Sequence, residues 1–420
     1  MAPQNAFYAQ SGGVTAVINA SAAGVIETAR QHKAKIGKVY AGRHGILGAL
    51  TEDLIDTSQE SAADIARLKH TPAGAFGSAR YQLQSFAESR ALYDRLMAVF
   101  QAHDIGYFFY NGGGDSADTC LKVAQVVEQL GYPLVVVHIP KTVDNDLPIT
   151  DCCPGFGSAA KYVATSIREA AFDVASMAKT STRVFILEVM GRHAGWITAA
   201  CGLAAGQEGE APHILLFPEI PFEDETFLAR VEAVVQQHGY CVIGVSEGLR
   251  HPDGRFLAAS GWQDAFGHTQ LGGVAPFIAH RIRENLRFPY HWAVADYLQR
   301  AARHIASKTD VQQAYAVGRA AVEFALQGYT AIMPTIVRES DQPYTWTIGM
   351  AKLEDVANKE KKMPREFISA DGFHITQACR TYLVPLVQGE DYPPFKNGLP
   401  DYVTLKNRAV PKKLHTDFTL

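Results

Sequence analysis

Short apolar runs at residues 6–10, 39–40, 107–110, 134–139, 184–189, 214–217 and 241–245 alternate with stretches whose apolar residues recur at helical spacing. Most runs are β-branched or aromatic and stop at Gly, Ser, Asp or Pro, as buried strands of a parallel sheet do. Between them, residues 15–30 and 116–129 read as helices, the second with Gly131 and Pro133 beyond it as stop signals. Strand then helix, repeated, restricts the chain to layered α/β domains with mainly parallel sheets and ligands at the carboxyl ends of the strands. A chain of 420 residues exceeds one ordinary core, so two domains of roughly 150 to 200 residues are expected. DLPITDCCPG, at residues 146–155, breaks the periodicity, which sets domains over 1–150 and 151–330. RESDQPYTW and GEDYPPFKNGLPDY are turn-rich, so residues 331–420 are expected to form an extension packed back on the domains.

Composition narrows the function classes. No stretch reaches the roughly 18 unbroken apolar residues of a membrane helix, and no charged-then-apolar signal opens the chain. The expectation is a soluble, cytoplasmic protein with no membrane partner. A net charge of -4 with no basic stripe gives no footprint for nucleic acid, which leaves a small-molecule partner. Six scattered cysteines contain no CxxC pair, so neither zinc nor a disulfide framework is indicated. Neighbouring Cys152 and Cys153 read as ordinary thiols, and the charge run at 359–362 as solvated surface.

Chemistry concentrates at strand ends. AFYAQSGGVTAVINA places Ser11-Gly12-Gly13 between a strand and a helix opening at Thr15, a cradle for an anion. Read alone, the glycine pair is a tight turn. It matches neither GxGxxG nor GK[ST]. YFFYNGGGDSADT repeats the grammar, with Asp115 at a helix start where it could serve as a cap. Two glycine loops in one domain indicate a polyphosphate held between backbone nests. FGSAR adds Arg80, a fork for phosphate oxygens. PKTVDND, residues 140–146, then places Lys141, Asp144 and Asp146 after a buried strand, where hidden charge is costly. In such a setting Lys141 supplies positive charge, and Asp144 or Asp146 acts as base or helps hold Mg²⁺. These are the parts of a phosphoryl-transfer site. EVMGR with Arg192, a strand-end SEG with Glu247, and YLQR with Tyr297 and Arg300 one helical turn apart offer groups for a sugar phosphate.

In that order, SGG, GSAR, GGGDS, PKTVDND, EVMGR, SEG and YLQR resemble the phosphofructokinase A family over roughly residues 5 to 330. PKTxDND together with MGR is the specific signal. The resemblance implies two α/β domains with the active site in the cleft between them. It is closer to the pyrophosphate-dependent 6-phosphofructokinases than to the ATP-dependent ones, in which the positions of Asp115 and Lys141 are typically glycine. It implies reversible, Mg²⁺-dependent phosphorylation of fructose 6-phosphate to fructose 1,6-bisphosphate by pyrophosphate. Asp144 would be the general base toward the sugar 1-hydroxyl, with Lys141 and Asp115 beside it. Gly13, Arg80 and Lys141 would contact the diphosphate. Thr142, Val143, Asp144, Asp146, Met190, Gly191, Arg192, Glu247, Tyr297 and Arg300 would hold the sugar phosphate. Arg183, nine residues before Arg192, would reach the site of a neighbouring subunit, which implies a homodimer or homotetramer.

A carboxylate at Asp115 would stand where the next phosphate of a nucleotide passes, and like charges about 4 Å apart repel by about 4 kcal/mol at an effective dielectric near 20. That corresponds to roughly a thousandfold discrimination. Lys141 neutralises charge growing on a short leaving group. The chain departs from the family pattern at Gly114, where many relatives carry an Asp associated with Mg²⁺, so Asp146, water, backbone or the substrate would hold the metal. Two further departures are His291, where ATP-type enzymes carry an arginine, and Val14, where an acidic residue often follows SGG. An ATP-dependent enzyme and a silent, sugar-phosphate-binding regulatory subunit are the alternatives.

Overall fold

The computed structural model describes residues 3–207, 209–263, 269–415 and 418. The chain forms two compact units, one of Met1–Gly155, Arg303–Glu360 and Gly389–Leu420, the other of Phe156–Ala302 and Lys361–Gln388.

The first unit is built on an eight-stranded sheet in the order Tyr344–Lys352, Ile332–Asp341, Val135–Pro140, Ile105–Gly112, Gln4–Ser11, Ile36–Gly42 and Leu54–Asp56, with Ser78–Ala79 pairing beside Gln4–Ser11. Its centre is parallel, as the apolar runs predict; only the two edges are antiparallel. Those central strands are buried on both faces. The Phe7 ring stacks on Phe108 at 5.7 Å and tilts against Phe100 at 5.4 Å, contacts that add to the area the rings bury. Gly131, at φ 63, ends the helix Gly114–Leu130 in the left-handed conformation that glycine adopts without strain.

Two readings of the later chain are corrected here. RESDQPYTW lies in an antiparallel hairpin, Ile332–Asp341 with Tyr344–Lys352, that widens the first unit's sheet. Its outer half is exposed, so no apolar alternation marks it as strand. Residues 303–330, assigned by sequence to the second domain, belong to the first unit. The cause is a close helix pair: a Cβ on Gly24 of Ile18–Gln31 would meet the Tyr315 carbonyl at 2.4 Å, and one on Gly318 of Lys308–Leu326 would meet the Ser21 carbonyl at 2.2 Å. Only glycine lets these backbones touch.

The second unit holds a four-stranded, all-parallel sheet in the order Tyr290–Val294, Val184–Val189, Cys241–Ser246, Ile214–Leu216. Val184, Ile186, Ile243 and Val245 pack there with Ile278 and Ile282 of the helix Val274–Leu286. Glu188 is a buried charge in the central strand. Its carboxylate accepts the Gly273 and Ala275 N–H groups at 3.1 and 2.8 Å, which answers the helix's orphan donors and places negative charge at its positive end. Burial still pushes its carboxyl above the usual range, against those bonds.

Among the described residues no helix is long and apolar enough to cross a membrane. All six cysteines are buried, and none is in a disulfide.

Candidate active site

In the first unit, Gln4–Ser11, Ile105–Gly112 and Val135–Pro140 are consecutive parallel neighbours, so their carboxyl ends place SGG, GGGD and KTVDND side by side. The short pairing of Gln10 with Ser78 and Ser11 with Ala79 brings the turn before Arg80 to the same edge. Gly12 N–H donates to the Ala79 carbonyl at 3.0 Å, and the Ser78 hydroxyl donates back to the Gly12 carbonyl at 2.7 Å. Arg80 itself is exposed at the end of this pairing.

Lys141 binds the two glycine loops together. Its backbone N–H donates to the Gly112 carbonyl at 3.0 Å, while its buried ammonium donates to the Ser11 carbonyl at 2.8 Å and to the Gly13 carbonyl. A second link joins the Ser116 and Ser11 hydroxyls at 2.7 Å. Burial of the ammonium is therefore answered by charge-assisted bonds. Asp115 is half-buried inside the first turn of Gly114–Leu130, whose cap is Gly113, so Asp115 is not the cap. The other helix starts at Ile18 and not at Thr15: the Thr15 hydroxyl accepts the Val17 N–H at 3.3 Å, and Val17 takes φ -119, ψ 2. A side chain bonding its neighbouring backbone in this way competes with helix.

The PKTVDND loop is fixed from within. The Thr142 hydroxyl accepts the Asp144 N–H at 3.1 Å. Asn145, wholly buried at φ 55, accepts the Cys153 N–H at 2.9 Å. Asn tolerates the left-handed region, so Asn145 turns the chain while Asp144 and Asp146, both half-buried, flank it. Val143 is buried. No group of three or more His, Cys, Asp or Glu suited to a metal occurs among the described residues. A Cβ at Gly114 would have nothing within 4 Å, so this position opens on space.

In the second unit, the carboxyl ends of Val184–Val189, Cys241–Ser246 and Tyr290–Val294 are likewise adjacent, which assembles Met190-Gly191-Arg192, Glu247 and the Tyr297–Arg300 turn. Glu247 N–H donates to the Val189 carbonyl at 2.9 Å, and its carboxylate faces the Gly191 N–H at 3.4 Å. Burial raises the Glu247 pKa, with the Gly191 N–H and Arg192 working the other way. The Arg300 guanidinium lies 3.6 Å over the exposed Tyr297 ring, a cation–π contact. Arg183 does not join this cluster. It precedes Val184–Val189 at the opposite, amino end, exposed, and His291 pairs with Phe185 at that same end.

Four residues that sequence reasoning missed hold these loops. Asn145 and Glu188 are described above. Gln299, buried inside YLQR, accepts the Met190 N–H at 3.2 Å and donates to the Asp296 carbonyl at 2.9 Å. Ser246 donates to the Gly191 carbonyl at 2.5 Å and accepts the Gly248 N–H at 3.0 Å. Glu188 left a readable signal, a carboxylate inside an apolar strand run. Gln299 left none, because a polar residue in a short polar helical turn carries no sign in the sequence that it is buried.

Comparison with known proteins identifies the family. The phosphofructokinase profile matches residues 5–325. The chain is 70% identical over 420 residues, 100% of both chains, to a pyrophosphate--fructose 6-phosphate 1-phosphotransferase of Methylococcus capsulatus. It is 66% identical to the protein so named in Halomonas elongata, over 99% of each. The crystal structure of a pyrophosphate-dependent phosphofructokinase from Nitrosospira multiformis superposes with a TM-score of 0.92 at 65% identity, covering 99% of this chain and 100% of that one. With the profile spanning residues 5–325 and the chain covered end to end by a relative at 70% identity, this protein belongs to the phosphofructokinase family.

Proposed function

We propose that the protein transfers a phosphoryl group reversibly between pyrophosphate and the 1-hydroxyl of fructose 6-phosphate. The observation that carries the reading is Lys141, whose ammonium bonds the SGG loop and whose backbone N–H bonds the second glycine loop, with Asp115 in the first turn beyond that second loop. A cation fixed beneath the loops neutralises charge on a short leaving group without a nucleotide's extended contacts. Relatives at 58 to 70% identity carry the corresponding name.

The roles divide between the units. In the first, Gly13, Arg80 and Lys141 contact the diphosphate, Asp144 takes the proton from the hydroxyl, and Thr142, Val143 and Asp146 help hold the acceptor. In the second, Met190, Gly191, Arg192, Glu247, Tyr297 and Arg300 bind the sugar phosphate. Mg²⁺ commonly keeps one or two carboxylates and takes the rest of its ligands from substrate phosphates and water. The residues present fit that mode, with Asp146 as the protein's contribution and charge neutralisation on the diphosphate as the chemistry supplied. Arg183, exposed at the far end of its strand, serves the site of a second copy in a homodimer or homotetramer. Six cysteines held outside any disulfide fit a reducing, cytoplasmic setting.

The test is fructose 1,6-bisphosphate formation by the purified protein with Mg²⁺, with pyrophosphate or ATP as donor. Turnover with pyrophosphate alone is expected. Turnover with ATP alone overturns the donor assignment, and silence with both moves the assignment to a regulatory subunit.

A further inference from the structure

Residues 389–415 run as a strap over the first unit. Ile55 bridges Ala409 in antiparallel fashion, Asp56 N–H donates to the Arg408 carbonyl at 2.9 Å, and Val410 N–H donates to the Leu54 carbonyl at 2.8 Å. At Asn407 the strap leaves this edge and meets the turn that leads to Arg80. Asn407 sits at φ 48 and makes three bonds. Its N–H donates to the Glu60 carboxylate at 2.8 Å, its carbonyl accepts the Arg43 guanidinium at 3.2 Å, and its side-chain amide donates to the Ala75 carbonyl at 3.2 Å.

That turn is held on its inner side by Asn19, wholly buried, whose side-chain oxygen accepts the Ala75 N–H at 3.0 Å and the Gln10 amide at 3.1 Å. Within it, Gly77 N–H donates to the Gly74 carbonyl at 3.0 Å, and Ser78–Ala79 then zips onto the SGG loop. Ala75 is thus clamped from within by Asn19 and from the strap by Asn407. We infer that Asn407 is a positioning residue for pyrophosphate: through Ala75 it fixes the turn that aims Arg80 and braces Gly12-Gly13. This rests on the diphosphate role proposed for those residues. The three Asn407 bonds all end on residues of the first unit, Glu60, Arg43 and Ala75, so the effect is specific to one substrate.

Asn407→Gly isolates the side chain, because glycine keeps the left-handed backbone and both main-chain bonds while removing the amide. Two readouts are measured: hydrogen exchange of residues 72–82 in the ligand-free protein, and KM for each substrate. The expected result is exchange faster by about threefold or more and KM for pyrophosphate raised about threefold to tenfold, the scale of one hydrogen bond, with KM for fructose 6-phosphate unchanged. Asp401→Ala, which removes the exposed ion pair to Arg67 elsewhere on the strap, should change neither. Unchanged exchange overturns the inference, as does faster exchange with an unchanged KM for pyrophosphate or an equal rise in both KM values. If Asn407→Gly fails to fold, Asn407→Asp, which also tolerates the conformation but cannot donate, is held to the same criteria. The exchange measurement needs no turnover. A wild type inert with pyrophosphate therefore overturns the proposed function, while exchange still decides whether the strap holds the turn.

Discussion

The Lys141 ammonium, buried beneath the first glycine loop, donates to the Ser11 carbonyl at 2.8 Å. One side chain after the third strand of a row thus fixes the loop after the first, and its backbone fixes the loop after the second. Lys141→Met keeps the stem and removes the donors. Pyrophosphate turnover should fall about 100- to 1000-fold, and stability by about 1 to 3 kcal/mol as carbonyls lose their partner. Steady-state rates and urea unfolding check this, and a rate within tenfold of wild type would sink the role given to Lys141.

Asp144 is assigned the proton transfer. Asp144→Asn leaves the backbone bond to Thr142 in place but removes the acceptor of the proton. The expected outcome is a kcat lower by about 100- to 10,000-fold with little change in KM for pyrophosphate, the pattern of an interaction made in the transition state. A variant that loses pyrophosphate affinity and keeps kcat would instead make Asp144 a binding group.

Gly248 has no room for a side chain. A Cβ there would stand 2.2 Å from the Arg192 carbonyl and 2.5 Å from that of Gly191. Gly248→Ala should therefore displace the MGR loop, raise KM for fructose 6-phosphate by more than about tenfold, and cost about 1 to 3 kcal/mol of stability. KM for pyrophosphate should be unaffected. Parallel shifts in both KM values would show that the displacement is not confined to the second unit's loops.

His213 should make stability fall in acid. Its Nδ1 accepts the Val242 N–H at 3.0 Å, a bond that needs that nitrogen unprotonated, and burial, then His238, His374 and Arg230, pushes its pKa down to about 4. Between the ordinary value near 6.5 and about 4, the unfolded chain takes up a proton that the folded chain refuses. The stabilising contribution is present above about 6.5 and is lost as pH falls toward 4, by up to about 3 kcal/mol. His213→Asn retains a side-chain acceptor and removes the titration, so urea midpoints at pH 7 and pH 4.5 should differ less for the variant than for the wild type. An equal loss in both proteins would reject this account.

Much of the fold was legible because its signals are local. Residues 184–189 form a strand over the span that their apolar run predicts, and Gly131 stops its helix as expected. The hairpin of Ile332–Asp341 and Tyr344–Lys352 was not legible, since an exposed edge strand needs no apolar alternation. Asn145, Gln299 and Ser246 escaped because each holds a loop through one backbone bond, for which composition and spacing leave no trace.

By itself the sequence determined the row of parallel strands, the glycine loops at their ends and the residue types presented there, since strand periodicity and turn chemistry are set by near neighbours. Tertiary structure alone decided that Lys141 points beneath the SGG loop, that Arg183 lies at the far end of the strand preceding Arg192, and that residues 303–360 and 389–420 return to the first unit. Those outcomes depend on partners far along the chain, such as Gly24 against the Tyr315 backbone or Asn407 against Ala75. Such pairs are selected by packing and by the cost of an unanswered polar group, which only the folded chain expresses.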